Sequence, residues 1–147
     1  YIHYEISNFA KPGFESKHNM NCWKQQEYIG IGVAAHSYTN GVRFSNVDQI
    51  EEYIKNFEIE KEEDNLIFHE KQNKNSMMKE YMMLGLRKIE GVQIQAFKSK
   101  FGENPIFLYR KELEKLANEE LIEVDGDYIK LTNKGIDLAN LVWEEFV

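Results

Sequence analysis

Leu121-Ile122-Glu123-Val124-Asp125-Gly126-Asp127-Tyr128-Ile129-Lys130-Leu131-Thr132 is the stretch that decides the architecture. Two short β-branched runs flank Asp125-Gly126-Asp127, which predicts a hairpin. Thr132 is then placed to cap a last helix carrying Ile136, Ala139, Leu141, Val142, Trp143 and Phe146. Upstream, Asn104-Pro105 predicts a helix start with proline at the first helical position. Its core face is Ile106, Tyr109, Leu113, Leu116 and Ala117. Before it, Ile94, Phe97 and Phe101 predict a short helix that stops at Gly102. Earlier still, Ser76 is predicted to cap a helix with Met77, Met78, Tyr81, Met82, Leu84 and Leu86. That helix is apolar on most of its circumference and ends over Lys88 to Gly91. Three helices, a hairpin and a closing helix make the plan of a winged helix over residues 76–147.

The first half reads differently. Ile2, Tyr4 and Ile6 alternate with His3, Glu5 and Ser7, which predicts one strand over residues 1–10, broken by Lys11-Pro12-Gly13. Residues 14–27 carry no period. Tyr28 to Ala35, with Gly30 and Gly32, reads as a second buried strand or a tight turn, and Asn40-Gly41 marks a type I′ hairpin. Asp48 is the expected N-cap of an acidic helix, with Glu51 completing a capping box. Ile50, Tyr53, Ile54 and Phe57 follow at helical spacing, and residues 58–75 read as a connector. The predicted class is α+β in three parts: a strand-rich 1–46, an acidic helix and connector 47–75, and the helical domain 76–147.

Composition narrows the function. The chain has 147 residues, 42% hydrophobic, 29% charged and 13% aromatic, which is globular and not disordered. No apolar run is long enough to cross a bilayer. The single cysteine, Cys22, excludes an intrachain disulfide and fits a reducing cytoplasm. A start at Tyr1, without methionine or a leader pattern, suggests a piece of a longer protein. The net charge of -7 sits in one stretch: residues 48–70 hold nine acids and two bases. Nucleic-acid binding needs clustered lysine and arginine, and the hairpin tip is Asp125 and Asp127, so no nucleic-acid partner is expected. A structural cap on a larger protein is the preferred reading of the winged helix.

Two stretches carry candidate chemistry. Gly30-Ile31-Gly32-Val33-Ala34-Ala35 matches the glycine pattern of a dinucleotide turn, but a hairpin follows where a helix is required. Gly30 and Gly32 instead leave one strand face bare, where a backbone or a flat cofactor approaches closely. His18-Asn19-Met20-Asn21-Cys22-Trp23 brings an imidazole, a thiol and an indole onto one short loop. Imidazole and thiolate are both axial ligands of haem iron, and tryptophan offers a flat surface; the alternative is a loop whose histidine bonds the backbone and whose tryptophan packs on the barrel or core. Among the other histidines, His3, His36 and His69, His36 cannot pair with the adjacent Ser37, because strand neighbours face opposite ways. No catalytic residue and no protein-held metal site are predicted.

Taken together, three blocks are specific: Tyr4-Glu5-Ile6-Ser7-Asn8-Phe9-Ala10-Lys11-Pro12-Gly13, His18-Asn19-x-x-Cys22-Trp23, and Tyr28-x-Gly30-x-Gly32-x-x-Ala35-His36-Ser37. With Met82-Met83-Leu84-Gly85-Leu86-Arg87, Phe101-Gly102 and Leu131-Thr132-x-x-Gly135, the chain resembles the oxygen-independent coproporphyrinogen III oxidase family of radical SAM proteins. The resemblance is strongest to its haem-chaperone branch. It implies a strand-rich end fragment of a partial β/α barrel followed by a winged-helix-like C-terminal domain. It also implies a parent with S-adenosylmethionine and a 4Fe–4S cluster on a three-cysteine loop, which is not in this sequence. The branch's haem motif, His-Asn-x-x-Tyr-Trp, maps onto His18, Asn19 and Trp23, with Cys22 in place of tyrosine. Implied partners are haem or a porphyrin and haem-accepting proteins, with self-association through exposed strands. The alternatives are a coproporphyrinogen III decarboxylase and a winged-helix module that binds a protein.

Overall fold

The computed structural model describes the backbone of residues 1–147 and the side chains of all but residues 62 and 68–70, so His69 lies outside the described side chains. The chain divides into two units, residues 1–25 with 74–147, and residues 26–73.

In the unit of residues 1–25 and 74–147, the opening segment is a hairpin and not one strand. Strands β1 (Ile2–Glu5) and β2 (Asn8–Ala10) run antiparallel. The turn forms because Glu5 accepts hydrogen bonds from the Ser7 backbone N–H at 3.2 Å and the Asn8 amide at 2.5 Å. The period-two pattern extended across the turn and concealed it. Residues 14–27 are not irregular either, since helix α1 spans Lys17–Trp23.

Helix α3 (Lys74–Gly85) begins two residues before Ser76, which therefore sits inside the helix and not at its N-cap. A two-residue strand β6 (Val92–Gln93) leads into α4 (Ile94–Phe101), closed by Gly102 in the left-handed conformation at φ 74°. The predicted third helix is two helices, α5 (Pro105–Leu108) and α6 (Arg110–Asn118). Asn104 caps the first by accepting from the Ile106 N–H at 2.9 Å. The break falls at Tyr109, whose buried ring reaches Phe97 and Phe146 at 6.3 and 5.3 Å. The expected hairpin is present as β7 (Ile122–Asp125) and β8 (Tyr128–Leu131). Strand β6 adds to its other side, giving the order β6-β8-β7. Thr132 caps α7 (Asn133–Asp137) as expected, and α8 (Ala139–Glu144) follows after a break at Leu138. Met82, Leu86, Phe97, Leu116, Ile129, Val142 and Phe146 fill the core between these elements. Each such side chain contributes about 1.5–3 kcal/mol by leaving water.

In the unit of residues 26–73, strands β3 (His36–Thr39), β4 (Val42–Asn46) and β5 (Leu66–Lys71) form an antiparallel sheet in that order. Asn40 and Gly41 take positive φ angles of 50° and 72°, as the predicted type I′ turn requires. Strand β5 replaces the second half of the expected connector. Helix α2 (Ile50–Glu58) is present, but Gln49 stands at its N-cap without a side-chain bond, so the Asp48 capping box does not form. The α2 stripe also stays open, with Ile54 50% exposed. Tyr28 to Ala35 is not a buried strand but takes the other expected form, a tight turn closed by the Ala35 N–H donating to the Gly32 carbonyl at 3.3 Å. Only Tyr28 bridges to Tyr38, and Ile31 is 90% exposed.

Candidate functional site

The motif residues His18, Asn19, Cys22 and Trp23 lie on helix α1 and not on a loop. Ser16 starts the helix by accepting from the Asn19 N–H at 3.3 Å. A Ser-to-Asn N-cap turn was the available sequence signal, hidden by the absence of an apolar period. Residues four apart share a helix face, so His18 and Cys22 point the same way. The His18 Nε2 lies 3.9 Å from the Cys22 Sγ on the exposed side. Trp23 faces inward and is 8% exposed. Its indole therefore offers no open stacking surface. Its role in this structure is to anchor the helix.

The anchor is built largely from residues that the sequence blocks and the last helix contain, but that no pattern there marks as partners of Trp23. Trp23 meets the Tyr4 ring at 6.2 Å and the Arg87 guanidinium at 5.9 Å. Arg87 also lies 5.0 Å from the Trp143 ring centre and donates to Glu5 at 2.9 Å. Glu5 is fully buried, so Arg87 supplies the charge it needs. Just past the helix, buried Gln25 donates to the Met77 carbonyl at 3.1 Å and to Glu80 at 2.9 Å. Lys100 donates to the Gln25 backbone carbonyl at 3.1 Å. A buried glutamate in an alternating strand and an arginine past a helix end carry no local pattern that marks them as partners. Behind α1, a cleft of about 560 Å³ is lined by His3, Tyr4, Met20, Glu90, Tyr128 and Lys130, among others. His18 and Cys22 are not on its wall.

The glycine motif falls in the unit of residues 26–73. A side chain at Gly30 would collide with the His36 carbonyl, so close backbone approach is what this glycine provides. The Gly30 N–H donates to Ser37 Oγ at 2.9 Å. Gly32 is needed for its φ of 106° and faces open space. Its carbonyl accepts from the Asn46 amide at 2.6 Å. Gly30 also lines a cleft of about 340 Å³ with Ile31, Tyr53 and Phe57. Among the described residues no three His, Cys, Asp or Glu side chains converge as a metal site. A lone thiol cannot hold a 4Fe–4S cluster, which takes several thiolates. The exposed His18–Cys22 pair has the donor chemistry for haem iron. Among the described residues no helix is long and apolar enough to cross a membrane.

Residues 72–138 match the family described as HemN C-terminal domain. The chain resembles the C-terminal part of HemN-related radical SAM proteins. It is 42% identical over 147 residues to the haem chaperone HemW of Lactococcus lactis subsp. lactis, covering all of this chain and 38% of that protein. It is 39% identical over 144 residues to the HemW of Bacillus subtilis, covering 98% of this chain and 38% of that one. The chain thus spans little more than a third of the length of these HemW relatives. Among solved structures, the coproporphyrinogen III oxidase HemN of Escherichia coli, titled a radical SAM enzyme, superposes with a TM-score of 0.69. That match covers 97% of this chain and 37% of HemN at 16% identity, and establishes a mixed α and β fold in common.

Proposed function

We propose that this chain is the C-terminal portion of a cytoplasmic haem chaperone related to oxygen-independent coproporphyrinogen III oxidase. The carrying observation is the exposed His18–Cys22 pair, 3.9 Å apart on α1, within a sequence 42% identical to a protein named for haem handling. Haem is the cargo and not a resident cofactor. His18 or Cys22 supplies the iron ligand, and Asn19 and Trp23 complete the motif, Trp23 from inside. An exposed ligand pair suits cargo that has to be handed to an acceptor protein. S-adenosylmethionine and the 4Fe–4S cluster belong to the upstream part of the parent, and Gly30 and Gly32 are the positions proposed to face a cofactor there. Residues 1–46 are the strand-rich end of the parent's partial barrel, residues 47–75 join it to the next part, and residues 76–147 follow a winged-helix plan used as a structural domain.

Haem titration of the full-length protein tests this reading. A shifted Soret band is expected, weakened by His18→Ala. Cys22→Tyr leaves the band if His18 is the ligand. Loss of the band in Cys22→Tyr alone assigns the thiolate instead, and an unchanged band in both variants removes α1 from the haem site. The solved fold of a coproporphyrinogen III oxidase supports a second reading, oxidative decarboxylation of coproporphyrinogen III by the parent. Product analysis with that porphyrinogen separates the two.

A further inference from the structure

Resting on the haem reading above, we infer that Arg87 is the positioning residue of the His18–Cys22 pair, acting through Trp23. Helix α1 has seven residues. A helix of that length is not stable alone, so its direction is set by what its buried residues touch. Trp23 is the buried residue of α1, and the group over its ring is the Arg87 guanidinium at 5.9 Å. Arg87 is itself fixed on three sides. Glu5 holds it at 2.9 Å, Trp143 lies 5.0 Å away, and the Arg87 carbonyl accepts from the Ile6 N–H at 3.1 Å. Among the described residues Trp143 Nε1 makes no hydrogen bond, so its ring face is what meets the cation. One side chain thus ties the opening hairpin and α8 to the ligand helix.

The planar group matters as much as the charge. A guanidinium is broad enough to lie 5.9 Å from one indole and 5.0 Å from another while keeping its ion pair; a compact ammonium keeps the pair and loses part of that reach. A merely stabilising ion pair would be restored by Arg87→Lys, whereas positioning through the indoles would not.

The test compares wild type, Arg87→Lys, Arg87→Ala and a core control, Leu113→Ala on α6, in the full-length protein. Two readouts are used: backbone hydrogen exchange of residues 18–24, and haem titration with its Soret maximum. Expected for Arg87→Lys and Arg87→Ala are exchange in α1 faster by about tenfold and haem affinity lower by about tenfold, between the scales of an exposed and a desolvated cation–π contact. In Leu113→Ala, melting temperature falls without either change. Wild-type exchange in Arg87→Lys overturns the proposal, as does an equal α1 response in Leu113→Ala. Faster exchange with unchanged haem affinity also overturns it, because α1 then has no hold on the cargo. If wild type gives no haem band, the haem reading fails by itself, and the exchange comparison still decides whether Arg87 positions α1.

Discussion

Tyr109 shows how one side chain shapes both the fold and its response to pH. Its ring is buried in the core, and among the described residues its hydroxyl has no hydrogen-bond partner. Burial, with a smaller push from the Glu112 carboxylate, raises its pKa from 10.0 to about 12. A raised pKa means that the folded state holds the proton more tightly than the unfolded state. Its contribution is therefore complete below pH 10 and is lost as pH climbs towards about 12. Tyr109→Phe should flatten that alkaline decline in a urea-unfolding series. At neutral pH it should change stability by less than about 1 kcal/mol, or raise it, because an unsatisfied buried hydroxyl is removed. A loss of several kcal/mol would show that the hydroxyl has a partner.

The cap of α7 shows the same logic in an element. Thr132 Oγ1 accepts from the Gly135 N–H at 3.0 Å and donates to the Glu120 carbonyl at 2.6 Å. Gly135 must lack a side chain because a Cβ there would collide with the Leu121 carbonyl, which already accepts from the Thr132 N–H at 3.1 Å. Gly135→Ala is expected to cost about 3 kcal/mol or more, and Thr132→Ala about 1 kcal/mol, in denaturant melts. If Gly135→Ala is neutral, the close approach is absent in solution. Elements with such local chemistry were readable from sequence: the Asn40-Gly41 turn, the Asn104 and Thr132 caps, the Gly102 stop and the 121–131 hairpin. Elements set by distant partners were not. Strand β6 is too short to show a period and exists only because β8 lies beside it. The turn between β1 and β2 depends on the Glu5 carboxylate, and α1 has no apolar stripe of its own.

Across the whole molecule, the candidate site was half legible. His18 and Cys22 were named from a motif, but the inward turn of Trp23 follows from Arg87, Glu5 and Trp143, which no spacing rule connects. The charge distribution leads to a further expectation. Lys130 on the hairpin is paired with Asp125 at 2.7 Å and Glu123 at 3.4 Å, so the tip presents acid to any phosphate. Duplex DNA should show no salt-sensitive mobility shift with this chain at about 10⁻⁸ M, the affinity range of specific DNA-binding modules; a shift there would reverse the charge argument. Exposed edges and apolar positions such as Ile31 and Ile54 lead to concentration-dependent sedimentation of the isolated chain, and a constant monomer would count against self-association. The Glu5–Arg87 pair spans 82 positions, and Trp143 comes later still. A ribosome adds about 5–20 residues per second, so α1 leaves the exit tunnel many seconds before its clamp has been made. Nascent chains would therefore carry His18 and Cys22 on an unfixed segment, and cargo loading would have to wait until Arg87 and Trp143 have been made and have packed together.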